Sequence, residues 1–376
     1  MKSFSTMNYI ILIIIFIVLG LLYKSYENKR ISLENEDNKE QIQKYLLDDL
    51  TLSKSKKPIL WIHVPYEYNS RNWLSFSSRS SLDLNQPYLY LTVKSIISKC
   101  DDSFTICIID DTTFERLIPG WNINMTKITN PILENMRKLG LMKLLYKYGG
   151  LLCPISFLCM KDLIGLYTKG IRNNKMFLCE TNNHNITTTS YDFYPSLSFS
   201  GSPKENQMIE TLIDFIQRNM SNDFTAASQF LGDFDRFCEK KIRNNEINMI
   251  NGVDIGIKTD QEDPILLEDL MSQQYLKLYP ETYGILIPSD QILKRTKYEW
   301  FARLSASQIL ESNTIIGNYL LLANTPTNTN DDVNILEPYK ETKKWIGFWK
   351  TPLVNGLYGL KPNMLGDNMV KQKYTN

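Results

Sequence analysis

The residues of this chain with the types and spacing to do chemistry gather in a few places. An apolar run, Phe104 to Ile109, ends in Asp110-Asp111. A carboxylate directly after a buried parallel strand stands at the edge where open α/β sheets bind ligands. The competing expectation is a strand-terminating Asp that caps the turn into Thr112-Thr113. A second place is Leu144 to Ser156, LLYKYGGLLCPIS, in which a helix end runs through two glycines into a short apolar strand. Beyond that strand stand Pro154 and Ser156. A third is the string Asp233-Phe234-Asp235, which reads as the solvated face of an amphipathic helix. His63 follows the core of the apolar run PILWIHV and reads as a hydrogen-bonded, half-buried histidine, with no Ser-His-Asp spacing around it. Arg71, Arg79 and Lys94, and then Arg137, Lys138 and Lys143, could face a phosphate, although solvated surface charge is the ordinary role of such residues. Cys100, Cys107, Cys153, Cys159, Cys179 and Cys238 form no CxxC pair, and only His63 and His184 could join them, so the pattern is that of buried small hydrophobes and not of a zinc site.

The stretch LLYKYGGLLCPIS resembles the core of GT-A sugar-nucleotide glycosyltransferases. The nearest group holds capsular-polysaccharide synthesis proteins and DxD-motif mannosyl- and galactosyltransferase-like proteins, which run helix, LYKYGG, two or three apolar residues, Asp-x-Asp. The resemblance covers residues 58 to 220 and extends more weakly to about 325. It implies a Rossmann-like α/β fold and transfer of a sugar from a nucleotide donor to a glycan or lipid-linked acceptor. The donor-binding candidates are Asp110, Asp111, Lys138, Lys143, Tyr148, Gly149, Gly150 and Ser156; no catalytic residue is assigned. In the family the Asp-x-Asp pair holds Mn²⁺ or Mg²⁺ against the diphosphate, because a hard cation needs carboxylate oxygens. Pro154 and Ser156 occupy those two places here, and the helix Asp and Arg that hold the sugar nucleotide in the family fall on Lys138 and Leu141. No metal cofactor is therefore expected. Two expectations stand side by side. One is a metal-independent transferase in which Lys138, Lys143 or an arginine replaces the cation. The other is a catalytically inactive pseudo-glycosyltransferase acting as a membrane-bound binding or scaffold protein.

The elements that must position these residues follow from pattern. The chain has 376 residues, is 43% hydrophobic and carries a net charge of +1, enough for a large α/β domain and without the basic field that nucleic-acid binding needs. Ile10 to Leu22 is an unbroken apolar run flanked by Tyr9 and Tyr23, so residues 1–24 are expected to be a single-pass anchor inserted through residues 9–23, without a small-residue cleavage site behind it. Lys24, Lys29 and Arg30 favour a cytosolic domain, whereas sequons at Asn124, Asn185 and Asn219 would favour the other side. Residues 25–57 read as a stalk of alternating charge. Residues 58–325 are expected to form the GT-A-like domain, and residues 326–376, rich in aromatics, an extension packing back on it. Within the domain, Pro58 to Val64 is a buried strand, followed by a long polar loop from Tyr66 to Gln86. Pro87 to Lys99 is a helix with Leu89, Val93, Ile96 and Ile97 inward, and Phe104 to Ile109 a second strand, giving a βαβ unit. Pro131 to Tyr148 is a buried helix stopped by Gly149 in a left-handed C′ position, and Leu151 to Cys153 a third strand. Met176 to Cys179 and Ser196 to Phe199 are further strands; Ile209 to Ile216 and Ala226 to Ile242 are helices.

Overall fold

The computed structural model describes residues 56–65, 86–128, 130, 132–182, 193–221, 227–273 and 275–325, preceded only by Gly20 and Lys24. Nearly all of the anchor and of the stalk, the polar loop with Arg71 and Arg79, and the C-terminal extension lie outside the described residues. Among the described residues no helix is long and apolar enough to cross a membrane.

Among the described residues from Ile59 onward, eight strands and eleven α-helices follow one another. They are β1 (Ile59–His63), α1 (Pro87–Cys100), β2 (Thr105–Ile109), α2 (Thr113–Leu117), α3 (Ile132–Tyr148), β3 (Gly150–Pro154), β4 (Phe157–Cys159), α4 (Ile164–Gly170), β5 (Phe177–Asn182), β6 (Phe193–Ser202), α5 (Gln207–Ser221), α6 (Ala227–Arg243), β7 (Asn248–Ile250), α7 (Leu267–Leu270), β8 (Gly284–Leu286), α8 (Ser289–Lys294), α9 (Glu299–Ala302), α10 (Ala306–Leu310) and α11 (Ile315–Asn324). The main sheet has the order β2-β1-β3-β6-β5-β7, and β6 alone runs against its neighbours. This is a mixed α/β fold with a mostly parallel, Rossmann-like central sheet. Its strands β1 and β3 are apolar nearly throughout (Leu60, Trp61, Ile62, Leu151, Leu152 and Cys153 are all buried), as strands covered on both faces require. The chain leaves β1 for β2 on one side and later returns to place β3 on the other. The order therefore reverses at β1, which places the topological switch point, where open α/β sheets take ligands, between the carboxyl ends of β1 and β3.

β4 and β8 make a separate two-stranded antiparallel ladder, which the residue pattern did not signal. Helices α7 to α11 contribute Leu267, Phe301, Ile309, Ile316 and Leu320 to one apolar cluster with Tyr88 and Leu91 of α1. That arrangement corrects the expected inner face of α1. Its buried positions are Tyr88, Leu91, Thr92, Ser95, Ile96 and Cys100, not Leu89, Val93 and Ile97. The two hydroxyls turn inward because they have partners there. Thr92 Oγ1 donates to the Ile155 carbonyl at 2.6 Å, and Ser95 Oγ accepts the Cys159 N–H at 3.0 Å. They tie the helix to the β3–β4 connection and to β4, and leave neither hydroxyl unsatisfied. All six cysteines are buried, and they form no disulfide.

Candidate functional site at the carboxyl edge of the sheet

β1, β2 and β3 run in parallel register, so His63, Ile109 and Pro154 stand abreast where the strands end. The two aspartates that follow β2 face different ways. Asp110 folds back on its own turn: its Oδ1 accepts the Thr113 N–H at 2.9 Å, the Thr113 hydroxyl at 2.6 Å and the Thr112 hydroxyl at 2.8 Å. Burial alone would raise its pKa, but these hydrogen bonds outweigh it and hold the carboxyl below the usual range. Asp110 is thus the turn cap that Thr112-Thr113 made one of its two expectations.

Asp111 points inward across the strand ends. Its Oδ1 meets His63 Nε2 at 2.9 Å and Arg137 Nε at 3.0 Å; its Oδ2 meets Arg137 Nη2 at 2.7 Å and Nε at 3.1 Å. Burial pushes this carboxyl up, and the hydrogen bonds and charges of His63 and Arg137 more than reverse it, so Asp111 is held ionised. An ionised carboxylate only accepts; His63 Nε2 therefore carries a proton, and Nδ1 is the nitrogen not committed to Asp111. The imidazole stacks on Phe114, with centroids 5.6 Å apart and planes at 17°. Arg137 comes from the first half of α3, and its side-on, doubly bonded geometry fixes the guanidinium plane. His63, Asp111 and Arg137 thus form one half-buried, charge-matched knot at the strand ends, beside the β1–β3 switch point.

The glycine motif lies at the other end of β3. Gly150 opens the strand and Pro154 closes it, so the two ends are about 13 Å apart at ~3.3 Å per residue. Gly149 has φ +68° and its N–H bonds the Leu145 carbonyl at 2.9 Å, ending α3 as expected. Gly150 has φ +107°, and a Cβ there would come 2.2 Å from the Ile59 carbonyl oxygen. The close approach it permits is to a neighbouring strand. Trp61 Nε1 donates to the Gly149 carbonyl at 2.9 Å, and the Tyr148 hydroxyl donates to the Leu117 carbonyl at 3.0 Å. Tyr148, Gly149 and Gly150 therefore join α3, β1 and β3 and are not brought to the carboxyl edge with Asp111. Lys143 sits over the Trp121 ring at 5.7 Å. Ser156 is buried, and its carbonyl accepts the Ile287 N–H at 3.1 Å.

Lys138, next to Arg137 on α3, turns to the opposite flank. Its Nζ lies 5.7 Å from the Phe234 ring centroid on α6 and within electrostatic reach of Asp235. This corrects the expectation of a wholly solvated Asp233-Phe234-Asp235 face. Asp233 does meet that expectation, being an exposed partner of Arg236 one turn on. Asp235 lies on the inner side with Phe234 and Cys238, and α6 packs against β6. Burial pushes the Asp235 carboxyl up to about 6, against the charges of Lys138 and Arg236. The signal was present in the helix phase: Asp235 and Cys238 are three apart and share a face.

The residues at the end of β3 do not fit a divalent metal. Pro154 offers no ligand, and Ser156 offers one neutral hydroxyl on a buried side chain. Among the described residues no group of three or more His, Cys, Asp or Glu is placed to hold one. Compared with protein-family models, curated proteins and solved structures, the chain matches none of them.

Proposed function

We propose that this chain is a membrane-anchored, glycosyltransferase-like protein that binds a nucleotide sugar at the carboxyl edge of its sheet and transfers the sugar to a glycan or lipid-linked acceptor. Two things support the reading: the residue pattern around Gly149-Gly150, and above all the knot of His63, Asp111 and Arg137 at the strand ends. That knot carries the proposal. Four contacts fill the lone pairs of Asp111, so its task is positional. It holds an imidazole and a guanidinium rigidly at the place where open α/β sheets take nucleotides. A rigid planar guanidinium suits phosphate recognition, and an oriented imidazole suits hydrogen bonding to a ribose or sugar hydroxyl. With no carboxylate pair at Pro154 and Ser156, no step is routed through a metal.

A second reading, a pseudo-glycosyltransferase that binds without transferring, is favoured by one observation. Arg137 and Lys138 each face a carboxylate, Asp111 and Asp235, so the edge gains little net positive charge with which to stabilise a departing diphosphate. Thermal denaturation of the full chain with UDP, GDP and their sugars, with and without Mn²⁺, tests both. A rise in melting temperature with a nucleotide, unchanged by Mn²⁺, is the expected result. Nucleotide-dependent release of sugar then marks the transferase, and binding without release marks the pseudo-enzyme. A folded protein that responds to no nucleotide contradicts the donor-site reading.

A further inference from the structure

The edge site uses none of the six cysteines, and two of them meet. Cys100 is the last residue of α1 and Cys159 the last of β4. Both are fully buried, and their sulfurs lie 3.9 Å apart although the residues are 59 apart in sequence. Cys159 Sγ also donates to the Lys161 carbonyl at 3.0 Å. A thiol carries one proton, so that hydrogen is committed there and the sulfur lone pairs are left to Cys100. The two elements are aligned independently of the sulfurs. Ser95 Oγ accepts the Cys159 N–H at 3.0 Å, and Thr92 Oγ1 donates to the Ile155 carbonyl at 2.6 Å. These bonds hold α1 against β4 whether or not the sulfurs are joined. Cys153, on β3, turns its sulfur to the Pro154 carbonyl at 3.8 Å, and Cys107, Cys179 and Cys238 lie on β2, β5 and α6.

Two thiols that face each other across two elements can be joined. Disulfide sulfurs stand ~2.05 Å apart, so the gap must close by about 1.9 Å. Both residues end their elements, where backbones yield most readily. We propose that Cys100 and Cys159 are a modification site, at which oxidation makes a disulfide that staples the end of α1 to β4. The oxidant is itself a disulfide, of the glutathione class. As the chain folds, one cysteine thiolate attacks it and displaces a thiolate; the partner then attacks the mixed disulfide and displaces the second. The two cysteines give up two electrons and two protons, and the oxidant leaves as two thiols. Burial pushes the Cys159 thiol well above its ordinary value, so thiolate is scarce once the fold has closed, and the bond forms during folding. Closing so long a loop restricts the unfolded chain and thereby stabilises the folded one. Such bonds persist in oxidising compartments, the side of a membrane that the sequons at Asn124, Asn185 and Asn219 would favour. The pair stands apart from the donor-site reading and does not depend on it.

The test synthesises the full chain cell-free in detergent, once with a mixture of oxidised and reduced glutathione and once with dithiothreitol. Free thiols are blocked with N-ethylmaleimide in denaturant, and the digests are read by mass spectrometry. The proposal predicts a linked Cys100–Cys159 peptide in the first preparation, with Cys107, Cys153, Cys179 and Cys238 blocked, and all six cysteines blocked in the second. It also predicts that the oxidised protein melts higher than the reduced one by roughly 5 °C or more. Cys100→Ala and Cys159→Ala should each melt at the same temperature in both preparations. The peptide map of the wild type needs neither variant, so it decides the matter even where a variant fails to fold. Six blocked cysteines in both preparations, a linkage that takes Cys153 or any other partner, or an oxidised protein that melts no higher would overturn the proposal and leave the nucleotide site untouched.

Discussion

Helix α3 carries two cations side by side, and the carboxylates they meet have opposite fates. On one flank Arg137 and His63 fill the lone pairs of Asp111, and the acid is held ionised below the normal range. On the other, Lys138 faces Asp235 through charge alone, and that acid is pushed up to about 6. Both are partly buried aspartates within a few residues of a strand end or an inner helix face, so burial does not separate them. Hydrogen bonding does. A satisfied carboxylate is a structural anchor that positions other groups; an unsatisfied one is left available to a ligand or a proton.

The contrast breaks most sharply at Asp111. Replacing it with Ala removes the carboxylate that the buried Arg137 and His63 both meet, and unfolding by denaturant is expected to show a loss of ~3–5 kcal/mol. Because the folded pKa of Asp111 is depressed, its contribution is present above the usual carboxylate value and is lost as pH falls below about 4. A flat acid limb for the wild type would contradict the account. Asp235 has the opposite sign. Its folded pKa lies above its unfolded value, so the folded protein binds a proton more readily and stability rises as pH falls from about 6 towards the ordinary 3.8. Asp235→Asn is accordingly expected to stabilise the protein above pH 6 by about 1–2 kcal/mol, and to remove that part of the pH profile. Stability lowered by this substitution would show that Asp235 is a structural acid like Asp111. His63→Ala should cost about 1–2 kcal/mol, for one charged hydrogen bond and the stack on Phe114, and leave Arg137 paired. Asp233→Ala, removing only an exposed pair with Arg236, should stay within about 0.5 kcal/mol. A larger loss there would mean that the outer face of α6 is not solvated.

Much of the scaffold was legible from residue pattern, for physical reasons that also mark the limits. The runs forming β1, β2 and β3 are continuous and apolar because both faces of the sheet are covered, and α3 announces its end through Gly149, where a left-handed backbone is needed. The β4–β8 ladder was not legible, since three-residue strands carry no period. Nor was the rotation of α1, whose inner face includes Thr92 and Ser95 because β4 and the β3–β4 connection supply their partners from more than sixty residues away. At the site, the pair Asp110-Asp111 could be found but not divided, although the Thr112-Thr113 that follows favours the first as the cap. Arg137 was one of several basic residues, and only its hydrogen bonds to Asp111, just beyond β2, single it out. The motif that drew most attention, Tyr148-Gly149-Gly150, positions strands at the far end of the sheet, which a linear pattern does not reveal.

The central claim is that a nucleotide binds at the carboxyl edge, beside the His63–Asp111–Arg137 knot. Hydrogen–deuterium exchange on the full chain, with and without saturating UDP or GDP, tests it most directly. The account predicts slowed exchange in the peptides spanning residues 61–65, 110–114 and 132–140. Protection confined to residues 145–151 at the opposite end of β3, or no protection by any nucleotide, would contradict it.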